Sequence, residues 1–332
     1  MHTRYSAAHS TQSFGALQHL TPGVDNRRTR DMQVISANAK PQQEAWQREF
    51  RSHTPEYAAE FAGSLFLVFC VVIAVAIMFA PGSPALRFIP SPRLRLFVTG
   101  SVLGGAGSLV AITPLGRLSG AHLNPAISLG FFAEGKMHLQ DLFGYIAAQL
   151  GGAVIGAWAG AAAAGGFGQS VQEALNVPAK GVSDWAAAGA EVIATFSLAF
   201  IIFEMLSSRR WMRWTPLMVV GVAAVIVGID GNFSGASLNP ARSFGPAWIE
   251  HQWDSFWVYV IGPSGGGVLA GLLHRLMPRH ARSGKLFHDR HYRSIFGGRS
   301  DKMANIHVRR HAGVRPGTRP PIHNRRPLAR PR

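Results

Sequence analysis

The chain has 332 residues, of which 47% are hydrophobic and only 15% are charged, whereas a typical soluble domain carries about 25% charged residues. This composition predicts a protein that folds in lipid. Its single cysteine, Cys70, excludes an intramolecular disulfide and a cysteine-based metal cluster, so no metal or cofactor is expected.

The net charge of +16 is concentrated at the C-terminal end of the chain. Residues 278–332 contain 15 basic and 2 acidic residues, whereas residues 58–277 contain 11 basic and 10 acidic residues. A basic segment attached to a nearly neutral apolar body is typical of a cytoplasmic tail close to anionic lipid. Nucleic-acid binding is the alternative explanation, but no nucleic-acid partner is expected because the charge is confined to an appendage.

Residues 1–56 contain no apolar run. We therefore predict a disordered cytoplasmic extension there and no signal peptide. Residues 278–332, rich in Pro, Arg and His, are likewise predicted to be a disordered, basic cytoplasmic tail. The folded domain is expected to occupy residues 57–277.

Six apolar stretches follow the N-terminal extension, each close to the roughly 20 residues that cross a membrane as a helix. They lie at residues 61–86, 96–116, 142–172, 185–203, 214–229 and 255–273. Pro81, Gly82 and Pro84 should end the first helix early, because proline cannot continue the helical hydrogen-bond ladder.

The distribution of Lys and Arg predicts the topology. Placing both termini in the cytoplasm assigns 28 basic residues to the cytoplasmic side and five to the other side, as the positive-inside rule requires. The sequence therefore predicts an integral multi-pass protein of the cell (plasma or inner) membrane with both termini cytoplasmic.

The chain consists of two similar halves, at about residues 57–168 and 185–277. The sequence S-G-A-H-L-N-P-A at residues 119–126 recurs as S-G-A-S-L-N-P-A at residues 234–241. Each half holds three predicted spanning helices, an odd number, so the halves should cross the membrane in opposite orientations. Such an inverted repeat places a site shared by both motifs near the membrane midplane.

Both motifs, Asn124-Pro125-Ala126 and Asn239-Pro240-Ala241, predict the start of a short helix, because Asn is a favoured N-cap and Pro a favoured first residue. About ten helical residues span roughly 15 Å, half of a membrane core, so two such helices could meet tip to tip. Their positive N-terminal ends and the Asn amide donors favour a neutral hydroxylic solute and oppose cations and protons.

The paired motifs, the second followed by Arg242, resemble those of the aquaporin family, also called the major intrinsic proteins. The resemblance covers about residues 57–277. It implies an all-α membrane protein with six transmembrane helices and two re-entrant half-helices in an inverted repeat. It also implies a passive channel for water and small neutral solutes that excludes ions, has no catalytic residues and assembles as a homotetramer in the lipid bilayer.

The resemblance also implies a selectivity filter beside the motifs, formed by the Arg and by one residue each from the second helix, the fifth helix and the second re-entrant loop. Counting back from the motifs carries these roles onto Gly104, Val227, Ala236 and Arg242. Water-selective members have a bulky aromatic residue and a His in two of these places. The absence of both predicts a wider, less polar filter that admits glycerol or metalloid hydroxy acids.

Three further residues are expected to support the re-entrant loops. Glu60 and Glu191 occupy equivalent positions in the two halves. In a transporter they would be proton-coupling candidates, but the resemblance implies that they accept backbone N–H bonds. His122 either lines the pore or holds its loop through hydrogen bonds, and we assign it to loop support.

Glycines recur on two predicted helices with the spacing of a helix contact face. They are Gly152, Gly156 and Gly160 on one helix, and Gly262, Gly266, Gly267 and Gly271 on the other. We expect close helix packing at both faces.

Other functions are weighed against the channel. A strictly water-selective aquaporin is the first alternative, and a secondary transporter built on the inverted repeat is the second. A membrane-embedded enzyme is disfavoured because no nucleophile-base pair or metal-ligand cluster occurs within the predicted spans. In its filter residues the chain is most similar to the nodulin-26-like branch and related bacterial channels. Residues 278–332 are predicted to be dispensable for conduction.

Overall fold

The computed structural model describes residues 51–286, and every regular element in that range is helical. In chain order the α-helices are α1 (Thr54–Phe79), α2 (Pro84–Phe88), α3 (Pro92–Ile112), α4 (Pro114–Ser119), α5 (Pro125–Ala133), α6 (Leu139–Ala164), α7 (Gly166–Gln169), α8 (Asp184–Ser207), α9 (Thr215–Asp230), α10 (Pro240–Glu250) and α11 (Phe256–Arg275). Short 3₁₀ turns occur at Gln172–Ala174 and Met212–Trp214.

Six of these helices are long and apolar enough to cross a membrane: α1, α3, α6, α8, α9 with the turn before it, and α11. The shorter α5 and α10 begin at the prolines of the two repeated motifs. The predicted fold, an all-α membrane protein with six spanning helices and two half-helices, is confirmed.

Local sequence explains several helix ends. α1 stops at Phe79, before the Pro/Gly cluster, as expected. Ser91 caps α3 by accepting a hydrogen bond from Leu94 N at 3.3 Å, and Ser183 caps α8 in the same way. α6 ends at Ala164, earlier than the predicted residue 172, because the chain turns at Gly165.

The helix contacts follow the repeat. α1 packs against α6 in the first half, α8 packs against α11 in the second, and α3 packs against α9 across the two halves. Each half-helix packs on the last spanning helix of the other half: α5 lies against α11, and α10 lies against α6. This exchange brings the two motifs into the centre of the bundle.

The glycine faces lie where the helices approach most closely, as predicted. A Cβ at Gly152 would lie 2.2 Å from Phe61 O, and one at Gly156 would lie 2.3 Å from Leu65 O. The other five glycines of the two faces also meet neighbouring atoms within 3.0 Å: Gly160, Gly262, Gly266, Gly267 and Gly271. Contacts at these distances leave no room for a side chain at the seven glycines.

Residues 1–50 and 287–332 lie outside the described part of the chain, and most of both predicted extensions falls there. The described part is longer at each end than the predicted domain of residues 57–277. α1 already begins at Thr54. Beyond α11, residues 278–280 are exposed, but residues 283–286 are buried again, with Lys285 only 2% exposed and Leu286 only 6% exposed.

Candidate functional site: the paired Asn-Pro-Ala loops

The two loops that lead into α5 and α10 follow the same unusual backbone path. Three residues in each loop have positive φ angles: Gly120 (103°), Ala121 (54°) and Leu123 (51°) in the first, and Gly235 (97°), Ala236 (45°) and Leu238 (56°) in the second. A left-handed conformation costs a non-glycine residue about 1–2 kcal/mol. Surrounding contacts must therefore hold both loops in place.

In the first loop, the carboxylate of Glu60 supplies that support. Its Oε1 accepts hydrogen bonds from His122 N at 3.0 Å and Ser119 Oγ at 2.7 Å. Its Oε2 accepts from Leu123 N at 2.7 Å and from Gln149 Nε2 at 2.8 Å. Glu60 is fully buried, so the loop takes up both oxygens of the carboxylate.

The second loop repeats this arrangement around Glu191, which is also fully buried. Its Oε1 accepts hydrogen bonds from Ser237 N at 2.7 Å and Ser234 Oγ at 2.9 Å, and its Oε2 accepts from Leu238 N at 2.9 Å. The hydroxyl of Tyr259 donates to Ser234 O at 2.6 Å. Each glutamate thus satisfies the backbone N–H groups that the left-handed turns expose.

The two motif asparagines cap the half-helices, as the sequence indicated. Asn124 Oδ1 accepts from Ala126 N at 2.9 Å, and Asn239 Oδ1 accepts from Ala241 N at the same distance. Both asparagines are nearly buried, at 6% and 4% exposed. The oxygen of each amide is therefore used for capping, and its nitrogen is turned away from its own helix.

The amide nitrogens join the two loops. Asn124 Nδ2 donates to Leu238 O at 2.7 Å, and Asn239 Nδ2 donates to Leu123 O at 2.8 Å. Both asparagines line a cavity of about 60 Å³, which we call the motif cavity. Since an amide nitrogen carries two N–H groups, each asparagine keeps a second donor for that cavity.

A second, larger cavity of about 260 Å³ contains three of the four predicted filter residues. Val227, Ala236 and Arg242 line this space, which we call the arginine cavity. Arg242 is only 7% exposed, and its Nε and Nη1 form no hydrogen bond with the described residues. Both nitrogens are shielded from solvent in this structure, so a small movement of the guanidinium would be needed before a molecule in the cavity could accept their hydrogen bonds.

Gly104, the fourth predicted filter residue, lines the motif cavity but not the arginine cavity. A Cβ at Gly104 would lie 2.7 Å from Val219 O and 2.8 Å from the Cα of Val220, so this position faces α9. Its neighbour Leu103 lines both cavities. Because a Cβ at Gly104 would point towards α9, we propose that Leu103 supplies the second-helix position of the filter in its place.

A sequence model of the family described as "Major intrinsic protein" matches residues 48–274, well over half of the chain. The chain belongs to the major intrinsic protein family. The resemblance inferred from the repeated motifs is confirmed.

Individual relatives agree with this assignment. Aquaporin AqpM of Methanothermobacter marburgensis is 35% identical over 255 residues, which cover 68% of this chain and 98% of that protein. The lens fiber major intrinsic protein of Rattus norvegicus is 35% identical, and the match covers 70% of this chain and 86% of that protein. Aquaporin NIP1-3 of Oryza sativa subsp. japonica is 30% identical, and the match covers 78% of this chain and 88% of that protein.

A solved structure shows the same fold at lower identity. The X-ray structure of the aquaglyceroporin from Plasmodium falciparum superimposes with a TM-score of 0.55 at 22% sequence identity. It covers 68% of this chain and 96% of that one. The match in fold thus extends over nearly the whole length of that structure.

Family membership settles the class of activity. This major intrinsic protein is an integral membrane protein and a passive channel for water and small solutes, not an enzyme. The channel is therefore the class of activity, and the weaker alternative of a secondary transporter is not supported.

His122 combines the two roles that the sequence left open. Its Nε2 donates to Gly284 O at 2.8 Å, which leaves Nδ1 to accept from Ser128 Oγ at 3.1 Å. The residue also lines the motif cavity. Gly284 lies beyond the predicted domain, so sequence reasoning had no means of finding this partner.

Asn176 is a second contributor that sequence reasoning missed. It lies between α7 and α8, and its Nδ2 donates to Gly235 O at 2.8 Å. Its Oδ1 accepts from Ser243 Oγ at 2.7 Å. The residue lines the arginine cavity but belongs to no repeated motif, so only its contacts identify it.

Proposed function

We propose that the pore of this channel connects the arginine cavity to the motif cavity, and that it passes small neutral solutes such as glycerol as well as water. The observation that carries this proposal is the composition of the arginine cavity. The guanidinium of Arg242, whose Nε and Nη1 have no hydrogen-bond partner among the described residues, lines that space together with the aliphatic side chains of Leu103 and Val227.

Such a lining suits an amphipathic neutral molecule. The guanidinium can donate to a pair of hydroxyl groups, while the aliphatic side chains contact carbon or a metalloid centre. A cation would lose its hydration in this constriction and would meet the positive guanidinium of Arg242 instead of a counter-charge. Polyols and undissociated metalloid hydroxy acids, the solutes expected for the nodulin-26-like branch, fit this chemistry.

One observation favours the alternative, a strictly water-selective channel. Leu103 has a branched side chain where the sequence argument expected the empty space of Gly104. The opening is therefore narrower than a glycine would leave it.

Reconstituted protein distinguishes the two functions. Stopped-flow light scattering on proteoliposomes measures the permeability to water, glycerol, urea and arsenite under matched gradients, with empty liposomes as the reference. We expect glycerol or arsenite flux well above the empty-liposome rate, rising linearly with the gradient. A protein that conducts water and excludes every larger solute would establish the water-selective alternative.

Leu103→Trp should reduce glycerol flux far more than water flux, because only the larger solute needs the width at this position. We expect a loss of glycerol permeability of about tenfold, equivalent to about 1.4 kcal/mol in the barrier. The matched control is Leu109→Trp on the same helix, whose side chain is 51% exposed on the outer surface. Equal losses of water and glycerol in Leu103→Trp would remove Leu103 from the filter.

We propose further that the channel is a homotetramer of the cell membrane with one pore in each subunit and both termini in the cytoplasm. The family's usual assembly and the distribution of Lys and Arg support this arrangement. Native mass spectrometry in mild detergent tests the assembly, and a fully active monomer would contradict it. Protease protection of an epitope placed at either terminus tests the orientation.

A further inference from the structure

Beyond the end of α11, the chain returns to the helical bundle. Residues 281–286, which we call the C-terminal strap, turn back across the bundle. Ala281 N donates to Glu134 Oε1 at 3.2 Å, and Arg282 N donates to Leu206 O at 3.1 Å. The first part of the strap is thus bonded to the ends of α5 and α8.

The second part of the strap is bonded to the loop that precedes the first motif. Leu286 N donates to Gly120 O at 3.0 Å, and His122 Nε2 donates to Gly284 O at 2.8 Å. These bonds hold the last residues of the strap beside the backbone that positions Asn124. The strap therefore lies across the motif-cavity end of the proposed pore.

The strap buries a charged side chain as it crosses. Lys285 is 2% exposed, and its Nζ donates to Arg117 O. Burial lowers the pKa of Lys285, because the ammonium group loses water contacts. Because burial of the charged ammonium group costs free energy, it opposes binding of the strap to the bundle. The hydrogen bonds of the strap favour that binding.

The last residue of the strap enters the proposed path of the solute. Leu286 is 6% exposed and lines the motif cavity together with Asn124 and Asn239. That cavity holds about 60 Å³, against about 260 Å³ for the arginine cavity. An aliphatic side chain in so narrow a space excludes water, as hydrophobic constrictions in channels do.

We propose that the C-terminal strap is a gate, closed in this structure, in which Leu286 plugs the pore at the end opposite Arg242. The proposal rests on the pore path proposed above. Release of residues 281–286 would withdraw Leu286 and free Gly120 and His122 from the strap. For these residues, the gate replaces the expectation that the tail is dispensable for conduction.

The first test measures water permeability per reconstituted chain for full-length Leu286→Ala. Removing most of the plug should raise permeability by about threefold or more. The matched control is Leu276→Ala, which changes the same residue type at a site that is 83% exposed. A folded Leu286→Ala protein with unchanged permeability would overturn the gate.

A second test holds the strap open without truncating the residue. Leu286→Cys is made in a Cys70→Ser background, and a bulky membrane-impermeant maleimide is added. We expect labelling to be slower than at Leu276→Cys, and water flux to rise as labelling proceeds, because the adduct is too large to re-enter the cavity. Labelling as fast as at Leu276→Cys, or labelling without a change in flux, would contradict the proposal even if Leu286→Ala failed to fold.

The two tests also separate the gate from the pore on which it rests. Equal channel flux in the wild type and in every variant overturns the gate and leaves the pore intact. Flux at the empty-liposome level in every folded variant, with Leu286→Ala included, overturns the proposed pore and the gate with it.

Discussion

Gly267→Ala should abolish channel activity and prevent normal assembly of the bundle. The added Cβ would lie 2.1 Å from Ala126 O, in the first turn of α5. Because that atom belongs to helix backbone, no side-chain rotation can relieve the clash. α11 and the first half-helix would have to separate, which moves the Asn124 amide away from Leu238.

Gly265→Ala is the matched control, since it makes the same change half a turn away on the same helix. Its nearest neighbour, Val192 Cγ2, lies 3.7 Å from the new Cβ, an ordinary contact. Replacing a helical glycine by alanine there should stabilise the helix by up to about 1 kcal/mol. Thermal unfolding in detergent and proteoliposome water flux measure both variants. Equal behaviour of the two would contradict the packing argument.

Glu191→Ala should produce the second large loss. Without the carboxylate, the N–H groups of Ser237 and Leu238 lose their acceptor in a buried site. An unsatisfied buried group costs about 1–3 kcal/mol, and the left-handed turns at Ala236 and Leu238 add strain to the same loop. We expect a lower unfolding temperature and the loss of solute discrimination.

Glu191→Gln distinguishes the loss of a hydrogen-bond acceptor from the loss of the whole side chain. Glutamine keeps one acceptor but turns its NH2 group towards a backbone N–H, so its stability should lie between those of the wild type and Glu191→Ala. Glu250→Ala, at the half-buried end of α10, controls for removal of a carboxylate elsewhere. A Glu191→Ala protein with wild-type unfolding temperature and flux would show that the loop holds its shape without the carboxylate.

The sequence by itself determined the features that depend on local chemistry and on periodicity. Asn124-Pro125 and Asn239-Pro240 begin helices because a capping amide followed by proline favours a helix start wherever it occurs. The glycines of α6 and α11 mark contact faces because they recur with the helical period. The repeat also identified Glu60 and Glu191 as equivalent residues, because equivalent positions in the two halves lie beside equivalent loops.

Only the tertiary structure decided which residues share a cavity. Successive residues of a helix point about 100° apart, so a shift of one position separates Leu103, which lines both cavities, from Gly104, which lines only the motif cavity and packs on α9. The strap was equally beyond sequence reasoning. Its basic composition predicts exposure, but contacts with residues more than 160 positions away, such as that between Gly284 and His122, bury it against the loop of the first motif.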